Sequence, residues 1–443
     1  MRIVFVTQWF PPEPGTFVAA AIADGLAERG HEVHVLTGFP NYPTGKLQAG
    51  YPLKPYRREI RSDNVTVHRA PLFPSHDASA IKRMANYLSF GVCASWIART
   101  KMPRPDVWLT NSSPATAALP ALTVPRRLRA PSYLLMQDLW PDSVTESGFV
   151  AGKLGLVIDA TLHRFCDWTY RRSVSVGVIS PGMAGLLGER GVASEKIQLL
   201  PNWVEDTHLW PNEIPTDALR RSLGLPDGRL FMYAGNMGEL QALESLIEAF
   251  AQCPEVNLVL IGGGVARPSL ERLVNTRGIL NIRFLPPQPS ERIGRFIAAA
   301  DIQIVSLRDT RLLRATMPSK LQSCMAASRP ILAHAAGDVA DLITASQSGI
   351  AVQPGDVTAA VKAIQHLSQM PTDKLLEMGG RGRAHYEMNF APNVGLDRLE
   401  SWLMGKEAMN GMSWLTMPAR IRRPAETRDE QPNGETDLRR SSE

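Results

Sequence analysis

The chain has 443 residues, too many for one hydrophobic core, and its 44% hydrophobic and 21% charged residues exclude a disordered or fibrous protein. A net charge of +5 and a pI near 9.1 suit an anionic ligand or an anionic membrane surface, while no stripe of Lys and Arg interleaved with aromatics argues for nucleic acid. Cys93, Cys166, Cys253 and Cys324 lack metal or disulfide spacing and the nine histidines form no cluster, so a reducing compartment and a metal-free chemistry are expected.

The chain opens with IVFVT, a Pro/Gly loop (QWFPPEPGT), a helical FVAAAIADGLAERG and EVHVLT, a βαβ unit. Arg2 runs straight into the first strand, leaving no signal peptide, which points to the cytoplasm. Strand-like VTVHRA, DVWLT, SYLLMQD and SVGVIS follow, alternating with helices as in a parallel sheet. Between the first two of these lies HDASAIKRMANYLSFGVCASWIARTKMPR, whose apolar middle falls short of the roughly 20 residues of a membrane span. Lys82 and Arg83 precede that middle and Arg99, Lys101 and Arg104 follow it, the pattern of an interfacial helix on the inner face of the cytoplasmic membrane; a core helix with solvated basic ends fits the same residues.

From Pro201 to Pro226 the pattern dissolves into polar loop, then restarts with LFMYAG, NLVLIGGG, NIRFLP, DIQIVSL, PILA and GIAVQPGD separated by helices. Two Rossmann-like domains are therefore expected, residues 1–200 and 201–391, with ligands in the cleft beyond the strand ends. APNVGLDRLESWLM is helical, about 392–410, and residues 417–443 are polar enough to be a disordered tail.

Candidate chemistry falls at the strand ends. After the first strand, Gly15 and Thr16 open a helix whose N-terminus can face an anion. Gln137 and Asp138 close the SYLLMQD strand. Gly235 and Gly238 flank Asn236, and Gln241 is expected to begin a helix; Gly262 and Gly263 allow close approach of a ligand. In TMPSKLQSCMAASRPILA, Pro318 stops the preceding segment, Ser319 is the expected N-cap with Gln322 completing a capping box, and Lys320 adds a positive charge to the helix start. A phosphate would be held there, with Leu321 and Ser323 on the same first turn. No phosphate loop, no G-x-G-x-x-G with an acidic ribose reader and no nucleophile elbow is present, which disfavours ATPase, NAD-dependent and serine-hydrolase chemistry.

Taken in order, IVFVTQWFPPEPG, LAERGHEVHVLTGFPNYPTG, QDLWPDS, LLPNWVE, YAGNMGELQALESLIEAF, LIGGG and PSKLQSCMAASRPILA resemble the retaining GT-B glycosyltransferases of family four, and within them the colanic-acid and O-antigen transferases of the WcaI/WbuB kind. The resemblance, over Met1 to about Leu403, implies an α/β GT-B fold: two Rossmann-like domains facing each other across a cleft, with the last helix crossing back to the first. It implies no cofactor, a nucleotide diphosphosugar on the second domain and a saccharide or polyprenyl-linked acceptor on the first. The family's diphosphate-neutralising Arg and Lys fall on Asn236 and Gln241, its acidic pair on Thr316 and Ser323, and its histidine on Gln137. Lys320, Asp138 and Gln137 are then the expected catalytic residues, Lys320 and Ser319 balancing the diphosphate. A catalytically silent binding protein and a sugar-nucleotide epimerase are the alternatives on the same fold.

Overall fold

The computed structural model describes residues 1–75, 79–142, 153–204 and 217–406. Their apolar runs form two parallel sheets, each covered by helices on both faces, as continuous hydrophobic strands require. The first sheet runs β3-β4-β2-β1-β5-β6-β7-β8. Its strands are β1 (Arg2–Val6), β2 (Glu32–Gly38), β3 (Arg57–Ser62), β4 (Val65–Ala70), β5 (Val107–Asn111), β6 (Ser132–Met136), β7 (Ser175–Val178) and β8 (Ile197–Leu199). Only β3 is antiparallel; it is an exposed edge strand of sequence RREIRS, whose charges hide it from an apolar-pattern reading and protect the edge.

The second sheet runs β11-β10-β9-β12-β13-β14, from β9 (Leu230–Ala234), β10 (Asn257–Ile261), β11 (Ile282–Leu285), β12 (Ile302–Ser306), β13 (Ile331–His334) and β14 (Gly349–Val352). This is the 3-2-1-4-5-6 order of a dinucleotide-type domain, with the strand order reversing between β9 and β12. A crevice opens at such a point because the connections leave the sheet toward opposite faces.

The helix Pro392–Leu403 packs back on the first sheet. Leu399, Trp402 and Leu403 join the core of Phe5, Leu26 and Tyr133. Glu400 accepts from Arg29 Nη1 at 2.7 Å and pairs with His31 Nε2 at 2.9 Å, and Trp402 Nε1 donates to Ser175 Oγ at 2.8 Å. The two halves also meet directly: Ser180 Oγ donates to the Ala315 carbonyl at 2.7 Å, and the Gly182 N–H donates to Asp338 at 2.9 Å. Residues 417–443, expected to form a tail, lie outside the described residues.

The helix Ala80–Lys101 has two apolar faces. Phe90, Ala94, Ile97 and Ala98 are fully buried against Val4, Val6 and Trp108. Ile81, Leu88, Val92 and Trp96 recur at helical spacing on the outside and are 82%, 48%, 65% and 51% exposed. The basic ends therefore belong to a helix that is core on one side and apolar stripe on the other. Among the described residues no helix is long and apolar enough to cross a membrane.

Candidate functional site

A cavity of about 380 Å³ lies at the switch point of the second sheet, lined by the segment leaving β9, the end of β12 and the start of the helix Ser319–Ala326. Of the residues singled out in the sequence, it brings together Gly235, Asn236, Gln241, Pro318, Ser319, Lys320 and Ser323. Tyr233, Ser306, Ile293 and Ile297 complete the wall and were not expected. Pattern reading takes Tyr233 and Ser306 as ordinary strand residues; their position at the last turns of two adjacent parallel strands is what brings them to the crevice.

Lys320 turns inward. Its Nζ sits 3.2 Å from the centre of the Tyr233 ring, where the ring's negative face attracts a cation. Gly235, at φ +147°, faces the same ammonium: a Cβ there would stand 2.9 Å from Nζ. Among the described residues no carboxylate pairs with Lys320, and no lining residue of the cavity is acidic. Although part of the residue remains open to solvent, burial around the ammonium pulls its pKa from 10.5 to about 7. Cys324, one turn on, offers no countercharge, since burial pushes its thiol up to about 12. An ammonium without a carboxylate partner among the described residues thus stands beside a helix N-terminus, two features that favour an anion at the same place.

Two local expectations are corrected. Ser319 is not the N-cap: Pro318 is, in extended conformation, and Ser319 is the first helical residue with no side-chain cap bond. Proline's fixed φ suits the cap itself, and Ser319 is left exposed at the cavity mouth. Gln322 does not close a capping box; its Nε2 donates instead to the Asn202 carbonyl at 2.6 Å. Gln241 likewise does not begin a helix. It ends a 3₁₀ turn, Glu239–Gln241, and its Oε1 accepts from the Gly238 N–H at 2.9 Å; the helix Leu243–Ala251 starts after Ala242, held at φ 44°. Of the first N–H groups of the helix, that of Leu321 reaches the Pro318 carbonyl, while those of Ser319 and Lys320 belong to residues that line the cavity.

The remaining candidates stand elsewhere. Leu321 is fully buried in the core. Gly262 lies under the β9 loop, where a Cβ would come within 1.9 Å of the Gly235 carbonyl, and Gly263 is beside Pro287; neither lines the cavity. Gly15, Thr16, Gln137 and Asp138 belong to the first sheet and do not line it either. Thr16 Oγ1 donates to the Glu13 carbonyl, while the buried Glu13 side chain accepts from the N–H groups of Phe10, Asn41 and Tyr42 and ties two strand-end loops together. Burial raises the Glu13 pKa. Gln137 forms a reciprocal amide pair with Asn202, at 3.0 and 2.5 Å, so through Asn202 and Gln322 the end of β6 is linked to the helix that carries Lys320. Asp138 is exposed, its N–H donating to Ser113 Oγ.

Two α/β units bridged by a returning C-terminal helix, with a cavity at the switch point of the second, define the GT-B architecture of glycosyltransferases. Residues 15–203 match the Glycosyl transferase 4-like domain and residues 228–370 the Glycosyl transferases group 1 domain. Over 361 residues the chain is 30% identical to WcaI of Escherichia coli (strain K12), whose name places it in colanic acid biosynthesis as a glycosyl transferase; the match covers 79% of this chain and 87% of that protein. The chain thus belongs to this family of glycosyltransferases. Solved structures share the fold: sucrose-phosphate synthase from Thermosynechococcus elongatus at a TM-score of 0.69 and 18% identity, covering 91% of this chain and 98% of that one. HepE of Anabaena, solved in complex with UDP-glucose, follows at 0.66 and 16%, covering 91% and 100%.

Proposed function

We propose that this glycosyltransferase moves a sugar from a nucleotide diphosphosugar to a saccharide acceptor in surface polysaccharide synthesis. The observation that carries the reading is the Lys320 ammonium, unpaired by any carboxylate among the described residues and turned into the switch-point cavity over Tyr233. A diphosphate bears about two negative charges, more of them exposed as the glycosidic bond breaks, and fixed donors aimed at that charge favour the transition state. Lys320 and the Ser319 and Lys320 N–H groups supply those donors. They take over the task of the family's Arg and Lys, which are Asn236 and Gln241 here.

The donor rests on the second domain and the acceptor on the first, residues 1–200, with Gln137 and Asp138 at the strand ends on that side. Retention, which the family resemblance implies, would proceed by attack of the acceptor hydroxyl on the face that the diphosphate leaves, since no acidic side chain lines the cavity as a covalent nucleophile. The exposed stripe and basic ends of the helix Ala80–Lys101 support a lipid-linked acceptor met at an anionic membrane surface.

Isothermal titration with UDP, GDP and dTDP tests the donor site. One of them binds wild type, and Lys320→Met weakens it by tenfold or more, roughly the loss of a charge-assisted hydrogen bond; unchanged affinity would remove Lys320 from the site. Incubation of the matching sugar nucleotide with and without a lipid-linked saccharide separates transfer from epimerisation, since only transfer makes nucleotide release depend on acceptor. Flotation with phosphatidylglycerol vesicles tests the membrane face: Val92→Asp with Trp96→Asp lowers binding, and equal binding would assign that stripe no lipid role.

A further inference from the structure

A polar chain that the proposed chemistry does not use runs from the cavity wall, at Gln241 and Ser306, to the fully buried His334 behind it. His334, the last residue of β13, is 0% exposed. Its Nε2 lies 3.1 Å from the Gly355 N–H, which can only donate, so Nε2 keeps its lone pair. Its Nδ1 lies 2.9 Å from Ser306 Oγ, and Ser306 Oγ lies 2.5 Å from the Gln241 carbonyl, which can only accept. Ser306 therefore spends its one proton on Gln241 and must accept from His334, which fixes the neutral imidazole with its proton on Nδ1. Burial agrees with a neutral ring, lowering the His334 pKa to about 4. Ser245 Oγ also stands 3.4 Å from Nε2, a longer contact to the same lone pair, and the directions of the other hydrogen bonds follow from the two backbone ends.

The end of this chain is a strained corner. Ala242, directly after Gln241, sits in the left-handed region at φ 44°, which a residue with a Cβ adopts only when its surroundings hold it there. Ser306 on the Gln241 carbonyl and the Arg308 N–H on the Leu240 carbonyl at 2.7 Å do so, beside longer bonds of 3.4 Å from Ser245 Oγ to the Ala242 carbonyl and from the Ala242 N–H to the Glu239 carbonyl. Gln241 is thereby kept at the cavity, its side chain fastened to Gly238 in the loop that leaves β9.

We propose that His334 is a positioning residue for the donor site: acting through Ser306, it fixes the Gln241 corner so that Gln241 meets the bound diphosphate. The inference rests on reading the cavity as the diphosphate site. His334 itself touches no substrate, and its effect on binding passes through Gln241.

The test uses the full-length enzyme and whichever of UDP, GDP or dTDP binds best. His334→Leu and Ser306→Ala each weaken that nucleotide roughly fivefold to fiftyfold, the range expected when a buried hydrogen bond is broken. In a Gln241→Ala background the same substitutions change affinity less than twofold, because the group they position is gone. Loss of the same size in both backgrounds, or no loss in wild type, would overturn the role of His334. Should His334→Leu fail to fold by circular dichroism, Ser306→Ala alone decides. Lys320→Met serves as the reference: if it binds as wild type does, the donor-site reading falls and this inference with it, whereas its failure to bind beside an unaffected Ser306→Ala dismisses only His334.

Discussion

Tyr233 holds both sides of the switch-point cavity: its ring underlies the Lys320 ammonium at 3.2 Å, and its hydroxyl donates to the Asn236 carbonyl at 2.5 Å. One strand-end residue thus orients a side chain from a distant helix and a backbone loop from its own turn. Tyr233→Phe keeps the ring beneath Lys320 but frees the loop. The expected result is a loss of nucleotide affinity of about fivefold, corresponding to about 1 kcal/mol for the hydrogen bond, with Tyr233→Leu losing more because the cation–π contact goes too. Titration calorimetry on the two variants checks the order.

The depressed pKa of Lys320 makes donor binding depend on pH. Free enzyme holds the ammonium protonated below about 7, and a bound diphosphate raises that value by stabilising the charge. Above pH 7 binding therefore draws a proton from solvent, and affinity falls as pH rises, toward tenfold per unit. Calorimetry at pH 8 in buffers of different ionisation enthalpy measures the uptake directly, and Lys320→Met abolishes it. For stability the sign is separate: between about pH 7 and 10.5 the unfolded chain binds more protons at this residue, so its contribution to folding improves as pH rises through that window.

Asp338 gives an independent pH prediction. Its carboxylate is buried where the two halves meet, and burial raises its pKa from 3.8 to about 6 despite the Gly182 N–H bond. A raised carboxyl pKa means the folded state gains stability as pH falls from 6 toward 3.8 and carries a buried charge above 6. Asp338→Asn keeps an acceptor for Gly182 and removes that charge. Melting curves are expected to show the variant more stable than wild type at pH 7.5, on the order of 1–2 kcal/mol, with the difference gone at pH 4.

Gly262 and Gly263 look interchangeable in LIGGG but meet different neighbours. Gly262→Ala would drive a Cβ to 1.9 Å from the Gly235 carbonyl at a φ of +143°, whereas Gly263→Ala meets only Pro287 at 3.5 Å. The first is expected to cost several kcal/mol and to displace the loop facing Lys320, the second less than about 1 kcal/mol. Chemical denaturation ranks them.

Strand and helix periodicity, the break after Pro201 and the helical APNVGLDRLESWLM are local patterns, and each reports whether a segment can bury one face or two. That is why both α/β halves and the Lys320 corner are legible in the chain alone. Which neighbour satisfies a polar group is another matter, because it depends on strands distant in sequence arriving side by side. Gln322 bonds Asn202 rather than the backbone of its own helix, Ser319 yields the cap to Pro318, and Tyr233, Ser306 and His334 acquire their roles only when β9, β12 and β13 align. Local pattern accounts for the two sheets and for a lysine at a helix start; that the ammonium turns inward over Tyr233 follows from long-range packing, since it depends on the shape and charge of a crevice no single segment contains.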